Sequence, residues 1–404
     1  MNFNFQSFIC IVVVFSFLLD SSSLIAQDIN KQSDTLKQKK KLDIVGLPSI
    51  GYSPETKFTV GAAVVYSYFL APPSPICRKS SAQLKFVYSF ARQIEVAARW
   101  NLFTSKNLYF IRGQSYYLKN NDRNYGIGNG GLTSIIEYKD SISANTRYIN
   151  FRSKQLYFST IAARMIFKHF YLGVDYEFES IYDVSNIADR VELITNEFFT
   201  NPIAGVRSGL GFNITFDNRD NVNAPHKGFF VALSNRFYGK IIGSDYKYEN
   251  LSIDFRYYKS TWKNQVIAVN LRTENRFISN PEDLPIYALA RFSGKDFIKG
   301  YFRGTYQDKN MLGFQLEYRA LLFKTPWVPY LKAVGAVAML NGGQVYQNFS
   351  EVGNFRYSTG FGFRAVLDEE QRISTGVDFA WGLHKKSTIN GGQFGVYISL
   401  SETF

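Results

Sequence analysis

Past its N-terminus the sequence has no run of the roughly 18 uninterrupted apolar residues that a membrane helix requires, which argues against a bundle of membrane helices. Cysteine is scarce, with only Cys10 and Cys77 in 404 residues. Cys10 falls inside an apolar leader, so Cys77 stands alone, and neither a disulfide framework nor a cysteine metal cluster is expected. Histidine is almost as rare. His169, His226 and His384 fall at strand ends or in connections and read as turn or surface residues. The sequence also lacks a Gly-x-Ser-x-Gly elbow, a His-Glu-x-x-His pair and a phosphate-binding glycine loop. An enzyme is therefore not expected, nor is a cofactor or a metal.

Aromatic residues, by contrast, are abundant, at 17% of the chain with 27 Tyr and 37 Phe. Without membrane helices, such a load suits a barrel that coats its outer wall and its interfacial girdles with aromatic rings. The first 26 residues read as a signal peptide, with an apolar run from Phe8 to Leu19, then Ser21 to Ser23, and Ala26 at the cleavage position. Residues 27–45 read as a polar periplasmic lead-in carrying Lys37, Lys39, Lys40 and Lys41. The formal charge is +13, from 46 basic and 33 acidic residues. These charges are scattered over alternating segments, which fits a solvated lumen and loops and not a nucleic-acid partner.

From about residue 44 onward the hydrophobic period is two. Residues Phe355, Tyr357, Phe361 and Phe363 oppose Arg356, Ser358, Gly360, Gly362 and Arg364. Leu251, Ile253, Phe255 and Tyr257 oppose Asn250, Ser252, Asp254 and Arg256. In the last segment Phe394, Val396, Ile398 and Leu400 share a face that Phe404 closes. Each segment offers one face to lipid and one to water. The segments are about ten or more residues long, longer than most soluble strands and right for tilted membrane strands. About sixteen can be counted, and the long connections (119–149, 182–204, 278–310, 341–354 and 383–392) all fall on one rim, while most on the other rim are tight, 71–79 and 217–227 excepted. Both termini then fall on the opposite, periplasmic rim. Only closure satisfies every backbone group in lipid, so the fold class is all-β, a transmembrane antiparallel barrel over residues 46–404.

Inward carboxylates (Glu95, Asp254, Glu274, Glu317, Asp378) accompany inward arginines (Arg99, Arg256, Arg272, Arg319, Arg372), and pairing across the lumen is expected. Asp217, Arg219 and Asp220, with Pro225 and Gly228, suit a turn held by local charge pairs and Asx bonds. The long 278–310 connection carries Gly294, Gly300 and Gly304, which allow it to fold back and approach a wall. Its tip cation, Lys299, can then meet an inward carboxylate. Glu317 is the first choice and Asp378 the second, with Arg303 sharing the role.

Several of these segments resemble the BamA/TamA family of outer-membrane insertases. Gly51 to Thr56, followed by Gly61, looks like that family's barrel start, and Gly211 to Asp220 with Pro225 and Gly228 looks like its central hairpin. Ile298-Lys299-Gly300-Tyr301 with Gly304 and Glu317-Tyr318-Arg319 resembles its sixth extracellular loop and the strand that follows. The family's loop carries Arg where this chain has Lys299, and with it the chance of bidentate pairing is lost. Residues 333–335, on the thirteenth strand where larger members place an acid, are Ala-Val-Gly. No substrate-handling repeats are read before the barrel.

The resemblance implies an outer-membrane location and a role in assembling or translocating outer-membrane proteins or lipids. The implied partners are outer-membrane lipids, client outer-membrane proteins and, during biogenesis, the barrel assembly machinery, which would read Phe404. A passive transport pore and a surface-exposed scaffold are the alternatives.

Overall fold

The computed structural model describes residues 42–53, 56–70, 77–129, 149–186, 204–294, 297–328, 331–369, 372–383 and 394–400. The expected signal peptide and the assembly signal at Phe404 lie outside these residues.

One antiparallel sheet contains sixteen strands. In chain order they are β1 (Leu42–Ser53), β2 (Lys57–Tyr68), β3 (Ser80–Ser89), β4 (Ile94–Phe103), β5 (Tyr109–Asn124), β6 (Ile149–Phe167), β7 (Phe170–Asn186) and β8 (Gly205–Asp217). They continue with β9 (Gly228–Tyr238), β10 (Tyr248–Ser260), β11 (Gln265–Phe277), β14 (Asn310–Lys324), β15 (Ala333–Tyr346), β16 (Arg356–Asp368), β17 (Ile373–Gly382) and β18 (Phe394–Leu400). Each strand pairs with the next in sequence. Two short strands, β12 (Ala290–Arg291) and β13 (Gln307–Asp308), pair with one another in the connection between β11 and β14.

The two faces differ as the alternation requires. On β16, Ser358 and Arg364 are buried in the interior, whereas Tyr357, Phe361 and Phe363 are each about half exposed on the outside. Trp262 and Trp327 stand exposed in neighbouring short turns, where interfacial anchors belong. The chain is a sixteen-stranded transmembrane barrel.

Several strand ends run past the sequence expectation. β1 begins at Leu42, inside the expected lead-in, and β5 runs on to Asn124, inside the expected loop. β6 has 19 residues. At about 3.3 Å per residue and a tilt near 40°, such a strand outreaches a hydrocarbon core of about 30 Å. Past the core the sheet needs no lipid-facing apolar stripe, so hydropathy loses sight of it.

The ion pairs also differ from expectation. Most run along the wall and not across the lumen: Asp254 binds Arg256, Glu274 binds Arg272 and Arg276, and Glu317 binds Arg319. Residues two apart on a strand share a face at about 7 Å, within reach of an Arg fork. Glu95 takes Lys85 from the adjacent strand instead of Arg99, and Arg372 binds Asp220 in a turn.

The sheet's two ends lie side by side. A Cβ on Gly51 of β1 would sit 3.6 Å from the carbonyl oxygen of Ile398 on β18. Yet among the described residues no ladder joins β1 to β18. β1 pairs with β2 from Leu42↔Tyr68 to Ser53↔Lys57, and among the described residues β18 pairs with β17 from Thr375↔Leu400 to Trp381↔Phe394.

Candidate functional site

The connection between β11 and β14, here loop six, folds into the barrel. Its sequence explains why. Leu284, Ile286, Ala288 and Leu289 form an apolar cluster with Tyr238, Tyr246 and Tyr248. Ala290, Phe292, Phe297, Ile298, Tyr301 and Tyr306 form a second cluster with Met311 and Val345 of the wall. Burying each large side chain contributes about 1.5–3 kcal/mol, enough to offset the ordering of a long loop. The loop's polar backbone is satisfied inside. The amide of Ile298 donates to the Phe292 carbonyl (2.9 Å), and that of Gly294 to the Ile298 carbonyl (3.0 Å). Gln315 of β14 donates to the Phe297 carbonyl at 2.6 Å.

At the loop tip, Lys299 is 3% exposed and its Nζ lies 2.5 Å from Asp378 Oδ2 on β17. The other oxygen, Oδ1, accepts from Arg364 Nη1 on β16 at 2.6 Å. One buried carboxylate thus holds two cations. The Gly300 amide donates to Tyr397 Oη on β18 (3.1 Å), and Tyr301 Oη donates to the Tyr357 carbonyl on β16 (2.6 Å). Gly300 has φ +95°, and a Cβ there would lie 2.8 Å from the backbone of both Trp381 and Gly382. No other residue fits so close to the wall. The tip therefore touches β16, β17 and β18, the three strands that end at the seam.

The sequence motif and the geometry agree in part. Lys299, Gly300 and Tyr301 come together with Asp378. Glu317, the first-choice partner, is committed to Arg319 (2.8 Å). The second cation on Asp378 is Arg364 and not Arg303, which lies within electrostatic reach of Tyr116 on β5. Gly304 has φ +77° and faces the Arg123 carbonyl on β5. Motif reading missed Arg364 and Tyr397. Arg364 was visible as an inward cation; Tyr397 was visible as an aromatic ring on the otherwise polar face of the last strand.

Farther up the loop, Asp308 lies beside Gly128, which bridges to Gln307. Burial, with Glu351 nearby, pushes the Asp308 carboxyl up to about 6 against the pull of the Lys309 amide and charge.

The turn after β8 forms a second motif. Asp217 accepts from Arg219 Nε (3.0 Å) and from Arg78 Nη1 (2.6 Å). Asp220 accepts from the amides of His226 and Lys227 and from Arg372. Burial opposes its charge, but these donors outweigh burial and hold the carboxyl below its ordinary value. Pro225 is buried, and Gly228 has φ +104° with the Asn218 carbonyl where a Cβ would go.

A nearly closed sixteen-stranded membrane wall with an inward-docked loop defines a barrel of the bacterial outer-membrane type. The Omp85 superfamily domain matches residues 76–404, and the chain belongs to that superfamily. Among solved structures it is similar to BamA from Haemophilus ducreyi lacking POTRA domains 1-3, at 15% identity and a TM-score of 0.53, covering 89% of this chain and 70% of that one. It is also similar to CdiB from Escherichia coli (11% identity, TM-score 0.58, 91% of this chain and 63% of that one). CdiB from Acinetobacter baumannii gives 13% identity and a TM-score of 0.52, with 90% of this chain and 60% of that one covered. The chain thus spans less than two thirds of either CdiB. No curated protein matches.

Proposed function

We propose that this barrel assembles or translocates outer-membrane proteins or lipids by opening laterally between β1 and β18, with loop six setting how readily it opens. The seam, unladdered among the described residues, carries the reading. Separating two strands that share few hydrogen bonds costs little, whereas opening any other strand pair breaks a full ladder at about 0.5–1.5 kcal/mol per bond. Loop six bears on the seam because its tip holds Asp378 and Tyr397, one on each of the last two strands. Client proteins and outer-membrane lipids are the partners this reading implies.

The test locks the seam. A Cys77→Ser background carrying Gly51→Cys and Ile398→Cys is joined by a short reducible bis-thiol linker. The assay is assembly of a small β-barrel client in proteoliposomes. Locking should stop assembly, and reduction should restore it. Equal assembly by the locked barrel overturns the proposal. A passive pore would instead keep its conductance when locked, so single-channel recording on the same sample separates the two readings.

A further inference from the structure

The periplasmic mouth of the lumen holds a group of charges that neither the seam nor loop six uses. Arg78, Phe103, Phe110, Arg112, Tyr171, Thr215, Asp217, Arg219 and Phe230 are among the residues that line a small, partly open recess there. The ring of Phe230, 2% exposed, has three guanidiniums over it: Arg219 at 4.6 Å, Arg112 at 5.2 Å and Arg256 at 5.3 Å.

The acids nearby are already committed. Asp217 is chelated by Arg219 and Arg78 through both oxygens. Asp254 is held by Arg256 through both of its own, at 2.5–3.1 Å. The four arginines Arg78, Arg112, Arg219 and Arg256 thus face two carboxylates. Arg112 is the one of the four that pairs with neither. Its guanidinium rests against Phe110 and Phe230 and has no hydrogen-bond or ion-pair partner among the described residues.

Like charges placed this close repel, and aromatic walls lower the local dielectric and sharpen the repulsion. A fork of five donors without acceptors, beside two further guanidiniums, is matched by the oxygens of an oxoanion. We propose that the open side of this recess binds a small oxoanion, phosphate or carboxylate, with Arg112 as its principal ligand. An anion there would neutralise the excess charge and tie β5 to the turn after β8.

The test uses the full chain refolded in detergent, titrated calorimetrically with inorganic phosphate and, separately, with acetate at constant ionic strength. One saturable site should appear, and the anion that binds more tightly identifies the class. Arg112→Gln should weaken it at least tenfold. Arg112→Lys should fall between, since charge is kept and the fork lost. Arg99→Gln, at an exposed position on β4, should bind as wild type. On the wild-type chain alone, the bound anion should protect Arg112 from phenylglyoxal, read by mass spectrometry, so the test survives a variant that fails to fold. Absence of saturable binding by both anions overturns the proposal. Unchanged affinity in Arg112→Gln, or modification of Arg112 unaffected by anion, does so equally. None of these readouts depends on the seam.

Discussion

Two walls of the same barrel are built differently. The β5–β9 wall has the tallest strands, with 16, 19 and 17 residues in β5, β6 and β7. Its inner face carries a polar network around Glu177, which accepts from Tyr157 (3.0 Å), Tyr238 (2.8 Å), Arg207 (2.8 Å) and Arg236 (2.8 Å) on three other strands. The seam wall is lower, with 10 residues in β17. Its inner bracing comes from a loop, through Lys299, Gly300 and Tyr301. A network whose members all sit on hydrogen-bonded strands cannot come apart without unfolding the sheet. A brace supplied by a loop can be withdrawn and the sheet left intact. The contrast teaches that the barrel is fixed on one side and conditional on the other.

The largest effects should come from cutting each wall's central carboxylate, because removing one partner of a buried pair strands the other charge at about 3–5 kcal/mol. Glu177→Ala should lower the unfolding temperature of the whole barrel and raise the protease sensitivity of loop six less than Asp378→Ala does, through Tyr238, which packs on the loop. Asp378→Ala should act mainly on the loop: loop cleavage and channel conductance rise, and melting falls because Arg364 on β16 also loses its partner. Lys299→Ala should act in the same direction, and the double variant should be less than additive. If Glu177→Ala releases the loop as readily as Asp378→Ala does, the two walls are not independent.

A smaller effect concerns pH. Asp308 titrates near 6 when docked, above its ordinary 3.8. The docked loop then binds a proton that the free loop releases, so this contribution is fully present below about pH 4 and is lost as pH rises through about 6. The shift corresponds to roughly 3 kcal/mol at most. Limited proteolysis of the loop should accelerate between pH 5 and 7, and Asp308→Asn should flatten that dependence. A flat wild-type profile would remove Asp308 from the brace.

Smaller again is Tyr397→Phe, which deletes the acceptor for the Gly300 amide at about 0.5–1.5 kcal/mol. It should raise thiol accessibility at Ile398→Cys with little change in melting. Glu317→Ala and Arg303→Ala should loosen the loop less than Asp378→Ala, since neither residue holds Lys299. Equal loosening by all three would mean the loop is held by bulk packing and not by its tip.

The alternation around Tyr357, Phe361 and Phe363 placed those strands correctly because a lipid face and a wet face impose period two on every residue between them. The turn at Asp217 to Gly228 was legible for a similar reason: its partners lie mostly within a dozen residues. Glu317 and Asp378, by contrast, looked equivalent as inward acids. Nothing in a one-dimensional pattern says that Glu317 is already claimed by the Arg319 beside it. The partner of Lys299 depends on where a long loop comes to rest.

The sequence by itself determined the membrane wall: strand number, the faces turned to lipid and to water, which connections are long, and the glycines that let loop six approach the wall. These follow from local sterics and from solvent on either side of a single layer. Tertiary structure alone decided how the ends of the sheet meet, that Asp378 and Arg364 receive the loop tip, and that Arg112 pairs with neither nearby carboxylate. Each of those depends on residues far apart in the chain arriving at one point, and buried electrostatics are set by the complete set of charges that arrive.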